Sequence, residues 1–193
     1  MREAAVETLR RQYSERASHA KASQVQRYVE AANQAVAENN FVSAANALRI
    51  AVSLTPEDGA LVKRLEDFDQ RSATELADKY LEQAKYEESN GKLLEAARSY
   101  ERAAKGKPTG ETYERAASCY LAPKGDLKKA VELGKKAVLL SPNDGKIRFT
   151  LARIYAQAGM KQSATAEIER ASALSPGDDT IKDWLKRIKR GDF

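Results

Sequence analysis

The chain of 193 residues has a single cysteine, a single histidine and a single tryptophan. One cysteine closes no internal disulfide, which suits a reducing compartment, so a cytoplasmic protein is expected. Cys119 stands in the small apolar run Ala116-Ala117-Ser118-Cys119-Tyr120, where a thiol packs as a small hydrophobe. With His19 as the only imidazole, the chain has no His/Cys set of metal-ligand spacing. No third residue suggests itself to orient a Cys–His pair. A phosphate loop and a catalytic triad are equally lacking. The expectation is therefore a non-enzyme with no cofactor and no metal. No apolar run of about 18 residues occurs, so no membrane span is expected. The start, Met1 to Arg11, has no apolar stretch of signal-peptide length. Only 7% of the residues are aromatic, with ten Gly and five Pro.

What is present is Ala, Glu, Lys, Leu and Arg, a mixture that favours an all-α fold. The net charge of +5 is mild for this length. Acidic and basic residues are interleaved rather than gathered in a stripe, as a nucleic-acid protein would have them. The basic run Lys186-Arg187-Ile188-Lys189-Arg190 is short, and a helix C-terminus favours such residues anyway. A nucleic-acid partner is disfavoured.

The most informative stretch is Leu151 to Pro176. Leu151, Ala152 and Tyr155 fall on one face of a first helix, and Gly159 suits the left-handed residue that ends it. Ala164, Ile168 and Ala171 make the inner face of a second helix, whose small residues allow close approach. Ser175-Pro176 reads as a cap followed by a residue suited to the next first turn. This order and spacing resembles the tetratricopeptide repeat, a helix–turn–helix unit of 34 residues. Pro108, Pro142 and Pro176 recur at that period. Pro56 precedes Pro108 by 52 residues, 18 more than the period.

The resemblance implies an all-α array of antiparallel helix hairpins, a right-handed solenoid, with two extended helices near the N-terminus and a C-terminal capping helix. The expected division is 1–76, holding a long N-terminal helix, a first hairpin (25–58) and a helical extension, followed by 77–193. The second part holds units 77–109, 110–144 and 145–178 and a capping helix, 179–190. The long first helix carries Val6, Leu9, Tyr13, Ala17 and Ala20 as a thin apolar stripe. Asn39-Asn40 replaces Gly at its turn, and Thr55-Pro56 reads as the next cap. The extra residues before Pro108 add five turns, a shift of about 27 Å along the axis. Either the helix breaks near Asp69-Gln70-Arg71-Ser72 or it continues; the lack of Gly and Pro there favours continuity. Glu87 stands where the family has an aromatic, which implies that this end of the helix packs less well or is partly open to solvent. Pro123 sits in a one-residue insertion, so the turn through Gly125-Asp126 should be wider. Gly134 replaces a large residue, as if to admit a close neighbour. Ile181, Trp184, Leu185 and Ile188 form the one-sided stripe of a cap, with Trp184 as its anchor.

In this family the first helices of successive units line a concave groove that holds extended peptides or helices. Transferred by register, the groove residues are Asn33, Leu81, Lys85, Arg115, Ser118, Lys146, Phe149 and Arg153. Leu81 and Phe149 would accept an apolar anchor, and the cations would donate to carboxylates or carbonyls. The implied function is a scaffold that binds a protein or peptide, with an acidic partner favoured. One subset of the family clamps the terminal carboxylates of chaperone tails; Glu82 and Glu111 occupy clamp slots here and would repel them, so that activity is not expected. The alternative is self-assembly, or a linker role in a larger protein, through the long N-terminal helices. For Val6, Leu9 and Tyr13 the competing expectation is packing within the chain against Leu61, Leu65 and Phe68.

Overall fold

The computed structural model describes residues 2–191. Among the described residues every element is helical: α1 (Arg2–Ala37), α2 (Phe41–Leu54), α3 (Gly59–Ser89), α4 (Leu93–Gly106), α5 (Gly110–Cys119), α6 (Leu127–Leu140), α7 (Gly145–Gln157), α8 (Lys161–Leu174) and α9 (Asp179–Arg190). The fold is an all-α array of helix hairpins. α3 is continuous, without a break at Asp69-Gln70-Arg71-Ser72. The chain forms two compact units, 1–75 and 76–193.

In the first unit α2 packs along the C-terminal part of α1. Ala32, Leu48, Ala51 and Leu61 form its core, flanked by Val25, Tyr28, Val29, Leu65 and Phe68. Asn39 takes the left-handed conformation, φ 56°, and the Asn40 side chain accepts from the Ser43 N–H to cap α2. Packing of the first stripe against Leu61, Leu65 and Phe68 does not occur. Val6, Leu9 and Tyr13 remain exposed, at 47%, 52% and 71%, because α2 covers α1 only along its later turns.

In the second unit each helix packs on the next, from α4 through α9, and α5 also touches α7. The second helices share one register. Ala44, Ala96, Ala130 and Ala164 occupy the same position of α2, α4, α6 and α8, and all are fully buried. Ala51, Ala103, Ala137 and Ala171 repeat this two turns on. Between them, Leu48, Tyr100, Gly134 and Ile168 hold one slot. At Gly134 the slot is filled from outside: a Cβ there would meet Leu151 Cδ1 at 2.9 Å and Ile154 Cδ1 at 3.2 Å. The close neighbour expected from the sequence is α7.

One local expectation needs correction. Thr55, Ser141 and Ser175 do not open helices; each closes the preceding one, its N–H bonded to the carbonyl of Ala51, Ala137 or Ala171. The N-caps are the aspartates three residues on: Asp58, Asp144 and Asp178 accept from the first-turn N–H groups of α3, α7 and α9. The intervening Pro sits just past a helix end, where it stops continuation. The α5–α6 connection, 120–126, is wider than the α7–α8 connection, 158–160. Its left-handed residue is Lys124, φ 66°. Gly125 is there for space, since any Cβ would overlap the Tyr120 carbonyl oxygen.

Candidate functional site

The last turns of α3, with α4 and α5, enclose a cavity of about 550 Å³. Helical spacing puts Leu81, Lys85 and Glu88 on one face of α3, and all three line it. Tyr100 and Lys107 enter from the α4 side and Arg115 from α5. Glu88 is the centre of the polar part. One carboxylate oxygen accepts from the Tyr100 hydroxyl at 2.6 Å and the other from Arg115 Nη1 at 3.0 Å. Burial, and then the Glu88 carboxylate, push the Tyr100 hydroxyl well above the ordinary phenol range, so Tyr100 is a donor at neutral pH. The other two cations are also paired within the protein: Lys85 with Glu82 at 3.3 Å and Lys107 with Asp78 at 2.6 Å. Glu87 is half-buried, and this end of α3 is partly open to solvent, with Tyr86 67% exposed. The Glu87 carboxylate accepts from Ser99 Oγ at 2.6 Å and from Gln83 at 2.8 Å, so a hydrogen bond between α3 and α4 stands in for aromatic packing.

The sequence-derived groove residues fall into separate groups. Leu81, Lys85 and Arg115 share the cavity, and Ser118 is half-buried about one turn further along α5. Lys146, Phe149 and Arg153 lie on α7. Lys146 is exposed. Phe149 meets the edge of Trp184 on α9, centroids 5.9 Å apart and planes at 74°. The Arg153 guanidinium stands 5.7 Å from both ring centroids, and Arg187 stands 5.0 Å from the Trp184 centroid. Asn33 belongs to the first unit, where its Oδ1 accepts from Arg64 at 2.7 Å.

Sequence reasoning missed Glu88, Tyr100, Trp184 and Arg187 as members of these groups. The i, i+4, i+7 spacing of Leu81, Lys85 and Glu88 was a usable signal for the first. Cys119 lies behind the cavity, buried, with its thiol pushed up to about 12 by burial and then by Glu88. Among the described residues no group of His, Cys, Asp and Glu has metal-binding geometry. No described helix is long and apolar enough to cross a membrane.

Residues 123–188 match the family model described as Tetratricopeptide repeat. No curated protein matches the chain. Solved structures with the same fold include the Arabidopsis OM64 TPR domain, at 19% identity and a TM-score of 0.56, covering 61% of this chain and 98% of that one. The first TPR of Spaghetti (RPAP3), bound to the HSP90 peptide SRMEEVD, is 20% identical with a TM-score of 0.56, covering 61% and 93%. The MamA protein is 14% identical with a TM-score of 0.55 and covers 88% of this chain and 83% of that one.

Proposed function

We propose that this tetratricopeptide-repeat chain is a non-catalytic interaction scaffold that holds a peptide or helix of a partner protein in the groove lined by α3, α5 and α7. The observation that carries the reading is the cavity itself: an apolar wall at Leu81 beside Lys85, Lys107 and Arg115. Lys85 and Lys107 are more than half exposed and Arg115 is less so, and all three are paired internally. The exposed Lys85 and Lys107 pairs are worth about 0–1 kcal/mol each, so an incoming carboxylate can exchange for Glu82 or Asp78 at little cost. A partner of net negative charge fits the chain's +5. Glu111 on the rim and Glu82 beside Lys85 disfavour a terminal-carboxylate clamp at this place. Ser118, Lys146, Phe149 and Arg153 extend the groove along α5 and α7, and Asn33 is its counterpart in the first unit. A buried thiol that stays protonated at neutral pH fits a non-catalytic role, and a lone cysteine suits the cytoplasm.

The test is affinity capture from a cell extract with wild type and Arg115→Glu, each checked for folding by circular dichroism. A partner identified by mass and lost with the folded variant is the expected result. A partner kept by both, or none, overturns the reading.

A second reading, self-assembly, is favoured by the exposed Val6, Leu9 and Tyr13 on α1. It predicts a dimer mass by sedimentation that reverts to the monomer in Val6→Glu/Leu9→Glu. A monomeric wild type across the accessible concentration range removes it.

A further inference from the structure

The C-terminal end of the second unit carries an unusual charge arrangement. Three lysines of α9 are neutralised within the protein: Lys182 by Asp179 at 2.9 Å, Lys186 by Asp183 at 3.5 Å and Lys189 by Glu169 at 3.2 Å. Arg187, on the same helix, and Arg153, on α7, have no carboxylate within ion-pair distance among the described residues. Both instead stand over the only tryptophan of the chain, at 5.0 and 5.7 Å from the Trp184 centroid, within cation–π range. Arg153 also stands 5.7 Å from the Phe149 centroid.

Seating a guanidinium over an aromatic ring leaves N–H donors available to a carboxylate. It also removes rotamer freedom before a ligand arrives, which lowers the entropy cost of binding. Two such guanidiniums against one indole, beside the exposed Lys146, make a positive surface with two half-buried aromatic rings in it. The cavity described above has its cations committed to internal carboxylates; this surface does not.

We propose that Arg153 and Arg187, held on Trp184 and Phe149, receive an acidic peptide segment, two side-chain carboxylates pairing with the guanidiniums and a neighbouring apolar side chain resting on the rings. The site shares no residue with the cavity around Glu88. It deepens the scaffold reading at Phe149 and Arg153, which that reading places in the groove, and its test is separate from capture at Arg115.

Trp184 reports on the site directly, because no other residue contributes indole emission. The full chain is titrated with an acetylated, amidated peptide of Glu and Leu, with its Gln-for-Glu counterpart, and with a single-stranded oligonucleotide. The expected result is a saturable change in Trp184 emission with the Glu peptide only. Binding weakens by about tenfold or more in Arg153→Gln/Arg187→Gln. It is lost toward about 1 M salt, where the screening length falls to about 3 Å. The charge-matched control Lys128→Gln/Lys135→Gln, both exposed on α6, keeps wild-type binding. Arg153→Lys/Arg187→Lys preserves the charge and loses the planar fork, so it too binds more weakly; it also serves if the Gln pair fails to fold by circular dichroism. No emission change, an equal response to the Gln peptide, full binding by the Arg variants, or a stronger response to the oligonucleotide overturns the proposal. The last outcome assigns the surface to nucleic acid.

Discussion

Two glycines show how position decides the cost of the same added methyl. At Gly125 a Cβ would overlap a backbone atom, the Tyr120 carbonyl oxygen, which cannot move without opening the α5–α6 connection. At Gly134 the obstacles are the ends of Leu151 and Ile154, which can shift. Gly125→Ala should therefore cost about 1–3 kcal/mol or more, and Gly134→Ala clearly less, compared by denaturant midpoints. Equal midpoints would show that the connection relaxes. Cys119 sets a pH dependence. Its thiol moves from an ordinary value of 9.0 to about 12 on folding. The stability that this contributes is fully present below about 9 and is lost as pH rises toward 12, because the unfolded chain releases the proton first. Melting temperatures should fall over that window, and by less in Cys119→Ala.

Among elements, the informative finding is how the helices begin. Ser or Thr before Pro looked like a cap because those residues are good caps in general. In place, they end α2, α6 and α8, and the aspartates that follow open α3, α7 and α9. Asp144→Ala should thus cost about 1 kcal/mol, and Ser141→Ala less, measured by thermal unfolding. Both lie in the same short turn and differ only in the helix they serve, so the opposite order would refute the assignment. The helices themselves, their inner alanines and the left-handed turns at Asn39 and Gly159 were legible, since each follows from spacing within a few residues.

For the whole molecule, the terminal helix decides whether the array ends cleanly. Ile181 and Ile188 are buried in one cluster with Leu151, Tyr155 and Ile168. A chain cut after Asp178 should expose that cluster, bind a hydrophobic dye and melt at a lower temperature; unchanged dye binding and melting would mean that α9 is dispensable. The candidate sites were only partly readable at this scale. Register named Leu81, Lys85 and Arg115 as neighbours, and Phe149 with Arg153. It did not pair Arg115 with Glu88, Glu87 with Ser99, or Arg153 with Trp184. By itself the sequence determined the helices, their period and the faces they bury, because apolar spacing along one helix carries that information locally. Which carboxylate neutralises which cation, and which cations stand over aromatic rings, depended on the approach and rotation of different helices. Those are fixed by packing between residues far apart in the chain, so only the tertiary structure decided them.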